Sequence, residues 1–309
     1  MLRFTAMSSP KLLAWISAIC LGGLASACSP ANKSEPGAPA ATALTIRITG
    51  SDTMVNLVQA WAENYKKKHS EVSVQVAGGG SGVGFAGLID GILDLAAASR
   101  EIEPKELDRF AEKHGGKPKE YAVALDALSV YVHKGNPLDA IALEDLAEIY
   151  GDKGQIEKWS QLSVKNTACP GDSIVRVGRQ NSSGTYVYFR ETVLGKQREY
   201  KLGSIDQSGS KDVVALVGRT PCAIGYSGMA YITPEVKALK ISKQKGQPAV
   251  APSSQTAIDK SYPLARKLYF YSPGEPKPHV KDFLDWVLSP DGQKIVTDIG
   301  FVPVQGATQ

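Results

Sequence analysis

Between residues 43 and 299 the chain alternates between two hydrophobic periods. Segments 43–49 (ALTIRIT), 71–76 (EVSVQV), 93–98, 121–132 (YAVALDALSVYV), 174–177, 223–228 (AIGYSG) and 264–271 carry the short alternating or continuous apolar runs that predict strands. The clearest helical pattern is Met54, Leu57, Val58, Trp61 and Tyr65, one apolar face at i, i+3, i+4, i+7 and i+11. It closes in Lys66-Lys67-Lys68, where the helix dipole favours cations. Further helices are predicted from the end of the Gly78–Gly82 run to about residue 89, and at 104–113, 143–150, 186–194, 210–219, 280–288 and 292–299. This alternation predicts α/β layers on largely parallel sheets, and no repeat of fixed period is visible.

The first 28 residues stand outside this pattern. Arg3 and Lys11 are the only charges before Cys28, and 12–27 is uncharged and mostly apolar. That run is short for a spanning helix, which needs ~20 residues, and reads as a signal peptide over 1–27. Its end, Leu24-Ala25-Ser26-Ala27-Cys28, resembles the lipobox of bacterial lipoproteins, which implies lipidation of Cys28. The lipobox prefers Leu where Ala25 stands, and Ala25-Ser26-Ala27 also reads as an ordinary A-x-A cleavage site. Residues 28–43 are rich in Pro, Ala, Ser and Gly without apolar periodicity, a composition suited to a flexible tether. The expected address is the periplasm or cell surface, with a lipid anchor as the only contact with the membrane.

Composition narrows the classes. With 43% hydrophobic and 21% charged residues over 309 positions, the chain is ordinary globular material. Its 35 Lys+Arg against 31 Asp+Glu give +4, too small an excess to argue for nucleic acid, and the signal segment removes two basic residues and no acid. Aromatics, at 7%, are nowhere interleaved with basic residues as a base-stacking surface requires. Of 4 cysteines, Cys169 and Cys222 fall in the exported domain. They are either a disulfide closing about 53 residues or two buried thiols, and an oxidising compartment permits the first.

Candidate chemistry sits at strand-to-helix junctions. Gly50-Ser51-Asp52-Thr53, Gly78-Gly79-Gly80-Ser81-Gly82 and Gln180-Asn181-Ser182-Ser183-Gly184-Thr185 each put small hydroxyl and glycine residues at the start of a helix. Helix N-termini present unpaired N–H groups and partial positive charge, glycine admits close approach, and hydroxyls add donors. Together these suit a phosphate-like anion. Ser99-Arg100 follows another strand, and Arg179 opens the third junction, so two guanidiniums are available for charge-assisted bonds. Each element alone is ordinarily a helix cap or a surface charge. Convergence argues otherwise, because loops at the carboxyl ends of parallel strands face one crevice.

Other chemistries find little support. Gly82-Val83-Gly84-Phe85-Ala86-Gly87 fits G-x-G-x-x-G but lies within a helical stretch rather than at a strand–helix turn. There is no P-loop and no G-x-S-x-G elbow, and the Ser208–Lys211 S-x-x-K lacks its companion motifs. His69, His114, His133 and His279 are scattered, without metal-ligand spacing. The expectation is a binding protein with no enzymatic activity, no cofactor and no metal.

The order GSDT–GGGSG–ASR–RQNSSGT–IGY resembles the phosphate-binding proteins of bacterial phosphate ABC transporters, the PstS family, across essentially all of 44–309. The resemblance implies an α/β, two-lobed type II periplasmic-binding-protein fold with two crossing hinge strands and the ligand cleft between lobes. The crossings would lie near 128–132 and 264–270. Lobe 1 would be 44–129 plus 266–309, and lobe 2 would be 130–265. Carried over position by position, the resemblance implies Thr53, Met54, Ser81, Ser99, Arg100, Arg179, Ser183, Gly184 and Thr185 as phosphate ligands. One branch of the family has Ser-Asp where this chain has Ser99-Arg100, and that Asp accepts the ligand's proton. This chain resembles the branch with Ser-Arg, so the acceptor must come from elsewhere. Asp126, just before the implied hinge, is the first candidate; its alternative is a hinge acid paired with Arg. Asp52 is the second candidate, its alternative being a helix cap. The implied partners are inorganic phosphate and the permease subunits of an ABC transporter, with the protein itself a monomer. Rival readings are a receptor for sulfate, molybdate, tungstate or arsenate, an exported phosphatase, and a surface lipoprotein whose lobes bind a partner protein.

Overall fold

A computed structural model describes residues 44–304, so the signal segment, Cys28 and the tether lie outside the described residues. The chain opens with strand β1 (Leu44–Gly50), helix α1 (Val55–Lys66), β2 (Val72–Ala77), α2 (Ser81–Ile89), β3 (Leu95–Ala98), α3 (Pro104–His114) and β4 (Lys119–Ala127). It continues with β5 (Ser129–His133), β6 (Ala140–Ala142), α4 (Leu143–Tyr150), β7 (Val175–Arg179), α5 (Gly184–Phe189), β8 (Ile205–Gln207), α6 (Ser210–Arg219), β9 (Ala223–Ser227), β10 (Val236–Ala238) and β11 (Lys240–Ser242). It ends with α7 (Ser254–Ile258), β12 (Ala265–Ser272), α8 (Pro278–Val287) and α9 (Pro290–Ile299).

Two five-stranded sheets organise these elements, in the orders β2-β1-β3-β12-β4 and β10-β5-β9-β7-β8. Each belongs to one lobe. The sheets are mixed rather than largely parallel: β1 pairs parallel with β2 and β3, but β12 runs antiparallel to β3 and β4. In the second sheet β7 is parallel to β8 and β9, while β5 is antiparallel to β9 and β10. The antiparallel members flank the two passages between lobes. The apolar run 121–132 is not one strand. It breaks at Leu128, with β4 in the first sheet and β5 in the second. The return passage precedes β12, and Leu128 donates its N–H to Leu264 O at 3.0 Å, so the two passages lie side by side.

The helical period at 54–65 buries Leu57, Val58, Trp61 and Tyr65 against the first sheet, with Phe270 and Phe283. The opposite face packs Phe85, Leu88 and Phe110 on Tyr269 and Tyr271. In the second lobe Phe189 stacks on Tyr226 and meets Tyr150 edge-on, in one buried cluster with Trp159 and Val132. Helix α3 is sharply delimited by Pro104 at its start, a reciprocal Glu103–Glu106 capping box and left-handed Gly115 at its end. The predicted helix at 186–194 changes character midway, becoming a π-helical turn over Arg190–Leu194.

Cys169 and Cys222 form a disulfide across 53 residues, resolving the two alternatives. It clips the 166–174 loop to the start of β9, where Asn166 also donates to Pro221 O at 2.9 Å. Replacing both cysteines by serine is expected to lower stability by about 2–4 kcal/mol, read from urea unfolding as a lower midpoint with a slope equal to or steeper than wild type, since the unlinked unfolded chain exposes more surface. A shift below ~0.5 kcal/mol would show that the link does not restrict the unfolded chain enough to stabilise the fold.

Candidate functional site

The carboxyl ends of β1, β3 and β7, with the starts of α1, α2, α5 and α6, converge where the lobes meet. From the first lobe come Thr53, Ser81 and Ser99, each with no exposed surface. From the second come Arg179, Ser183, Thr185 and Ser210, all buried. The hydroxyls touch across the interface: Thr53 Oγ1 shares a hydrogen bond with Thr185 Oγ1 at 2.9 Å and lies 3.4 Å from Ser210 Oγ. Ser81 Oγ accepts from Ser99 N at 3.0 Å and is 3.5 Å from Ser99 Oγ. Gly184 closes over this pair from the other lobe. A Cβ there would stand 2.3 Å from Ser81 Oγ and 2.8 Å from Ser99 Oγ, so no residue with a side chain fits.

Arg179 supplies the charge. Its Nη1 donates to Ser210 Oγ at 2.9 Å and its Nη2 to Ser208 O at 2.7 Å. Its nearest counter-charge is Asp52, at 3.4 Å from Nη2. Its Nε is buried without a hydrogen-bond partner among the described residues. Burial pushes the guanidinium's pKa down from its ordinary value, which the Asp52 carboxylate opposes. A fully enclosed guanidinium with one loosely held acid and an unused N–H is costly, and an anion among the hydroxyls would relieve that cost. Asp52 is fixed by accepting from Gly79 N at 2.9 Å through its other oxygen, leaving Oδ2 toward Arg179.

Two sequence-implied positions do not join this cluster. Arg100 points away: its guanidinium forms a two-pronged pair with Glu106, 2.7 Å at each prong, and lies over the Phe85 ring. The α3 capping box places Glu106 there, so the second guanidinium of the sequence reading is neutralised outside the cluster. Asp126 is likewise committed. Its Oδ2 accepts from Arg266 Nε and Nη2 at 3.0 and 2.8 Å, and its Oδ1 from Met229 N at 3.0 Å. Asp126 and Arg266 face each other in the β4–β12 register, so Asp126 is paired with an arginine, as its alternative reading expects. Met54 keeps its side chain in the core and donates its N–H to Ser51 O at 2.9 Å, within its own turn. Ser183 caps α5 by accepting from Thr185 N at 3.2 Å.

Sequence reasoning missed three participants. Ser210 bonds Arg179 directly; it opens α6 after Ser208-Gly209, a fourth small-residue junction of the kind already recognised. Arg266 donates its Nη1 to Ser99 O at 3.0 Å, tying the hinge pair to the cluster wall. Tyr231 OH donates to Thr53 O at 2.8 Å and carries no sequence signal beyond being aromatic. A groove of about 860 Å³ lies nearby, lined by Arg100, Tyr188, Tyr262 and Arg266, but the hydroxyl cluster itself is closed off by the lobe contacts.

Two mixed α/β lobes closing on an enclosed, one-arginine hydroxyl nest define an extracytoplasmic-type solute-binding fold. The family model described as a PBP superfamily domain matches residues 35–291. The phosphate-binding protein PstS of Pseudomonas aeruginosa is 33% identical over 311 residues, covering 96% of each chain, and that of Bacillus subtilis is 30% identical over 263 residues, covering 84% of this chain and 81% of the relative. The chain belongs to the PstS family of phosphate-binding proteins. Among solved structures, a putative phosphate ABC transporter substrate-binding protein from Clostridium perfringens with bound phosphate superposes with TM-score 0.74 at 28% identity, over 84% of this chain and all of that one. An ABC-type phosphate transport receptor from Vibrio cholerae gives TM-score 0.66 at 25% identity, over 83% and 99%.

Proposed function

We propose that this chain binds inorganic phosphate in the interlobe nest and delivers it to an ABC-transporter permease, from an exported position held by a lipid on Cys28. The observation that carries the reading is Arg179: fully buried, short of counter-charge, and ringed by hydroxyls of both lobes. Thr53, Ser81, Ser99, Thr185 and Ser210 would donate to the anion, and Arg179 would supply its charge-assisted bonds. Because donors come from both lobes, the anion is held only when the cleft is closed, and its binding shifts the population to that shape. The closed shape is what the permease would read.

Asp52, rather than Asp126, is the acceptor for the ligand's proton in this reading. A carboxylate in the nest repels a fully ionised oxyanion such as sulfate and accepts from a protonated one such as phosphate. Calorimetric titration of anion-stripped protein with phosphate, then sulfate, tests the reading. Tight phosphate binding that excess sulfate does not displace is expected; no heat and no thermal stabilisation from any tetrahedral oxyanion would overturn it. In Asp52→Asn phosphate affinity is expected to fall about ten- to a hundredfold, the worth of one charged hydrogen bond, while sulfate gains a donor and begins to compete. Unchanged selectivity in Asp52→Asn would remove Asp52 from this role.

A further inference from the structure

The run Gly78–Gly82 does something besides approach an anion. Gly82 N, in the first turn of α2, donates to Ser182 O of the opposite lobe at 3.0 Å. Ser182 Oγ donates back to Gly79 O at 2.9 Å, and Gln180 Nε2 reaches the same carbonyl at 3.4 Å. Gly80 has φ +99, and a Cβ on it would fall 2.3 Å from Ser182 O. The base of this socket is anchored within its own lobe, by Gly80 N on Gly50 O at 2.9 Å and by Gly79 N on Asp52.

We infer that Gly79, Gly80 and Gly82 form a socket for Ser182, and that this backbone lock, made by residues outside the hydroxyl nest, sets how long the closed cleft holds its ligand. The inference rests on the phosphate reading for its ligand, but its geometry stands apart from it. The hydrogen bonds of the lock form only when the lobes are together, so they stabilise the closed state and leave the open state alone. Their loss therefore acts on dissociation, since the encounter with the open cleft does not involve them. Gly82 offers an unusually clean probe. The three heavy atoms nearest a Cβ there, outside its own helix backbone and chain neighbours, all belong to Ser182, the nearest at 3.4 Å, and its backbone is free of positive φ. A leucine at this helical position favours the fold while obstructing closure.

The experiment measures release of radiolabelled phosphate from the full chain into excess unlabelled phosphate. It is paired with the association rate, the melting midpoint of anion-free protein, and amide hydrogen exchange at residue 82. Gly82→Leu is expected to release phosphate at least about tenfold faster with an association rate within about threefold of wild type and no loss of melting midpoint. Ser182→Ala, which removes one of the hydrogen bonds and little volume, is expected to release a few times faster and to raise exchange at the Gly82 amide. A wild-type release rate in Gly82→Leu, or a Gly82 amide that exchanges in the phosphate-saturated wild type as freely as in an unfolded chain, would overturn the lock. If the wild-type protein bound no phosphate, the functional reading would fall, while a Gly82 amide protected in wild type and exposed in Ser182→Ala would still support the lock.

Discussion

Arg179→Ala is expected to reduce phosphate affinity by roughly a thousandfold or more in calorimetric titration, while leaving the anion-free protein at least as stable as wild type. Two charge-assisted hydrogen bonds at about 1.5–3 kcal/mol each set the scale of the loss. The second half of the expectation separates a binding role from a structural one. The Arg179 guanidinium is enclosed and, among the described residues, its one paired acid is 3.4 Å away and its Nε has no hydrogen-bond partner. Such a cation weighs against the empty closed fold, so removing it relieves a desolvation cost instead of breaking a support. Arg179→Lys keeps the charge but loses the planar fork, and an intermediate affinity is expected. An Arg179→Ala protein that melts several degrees lower and binds phosphate normally would reverse the assignment.

The opposite sign is expected at the hinge. Arg266 and Asp126 are buried at 2% and 0% side-chain exposure and joined by two hydrogen bonds, with Ser99 O and Met229 N completing the set. Arg266→Ala strands the Asp126 carboxylate without water, and a loss of about 3–5 kcal/mol in unfolding free energy is expected. Asp126→Ala should cost a similar amount, and the double substitution should cost much less than the sum, because no lone charge remains. A chemical-denaturation double-mutant cycle reads this directly. Near-additive losses would mean that the residues serve separate neighbours rather than each other.

Much of this architecture was legible in the sequence because the signals were local. The 3.6-residue stripe through Trp61, the small-residue junctions before α1, α2 and α5, and the alternation of strand and helix all sit within short windows. The family resemblance, carried by the same junctions, supplied the two-lobed form. What failed was long-range. Arg100 and Arg179 look alike, each standing where a strand gives way to a loop. What separates them is Glu106, delivered to Arg100 by the first turn of α3, and the motif Glu103-Pro104-Lys105-Glu106 was a readable warning. Asp126 was placed near the hinge, but its partner lies 140 residues away in a strand register that no periodicity reveals. The 121–132 run read as one strand because hydrophobicity continues through Leu128, although its hydrogen bonds change sheets there.

The order of strands in the first sheet has a consequence for how the chain reaches this form. Strand β12 lies between β3 and β4, though some 140 residues separate it from β4 along the chain. The second sheet, by contrast, draws all five of its strands from one continuous stretch, β5 to β10. A chain emerging amino end first can therefore complete the second sheet while the first still lacks an inner strand. Its early strands, with apolar faces prepared for partners not yet delivered, must wait for residues 265–272, and that interval of incomplete pairing is when the chain is most exposed to wrong associations.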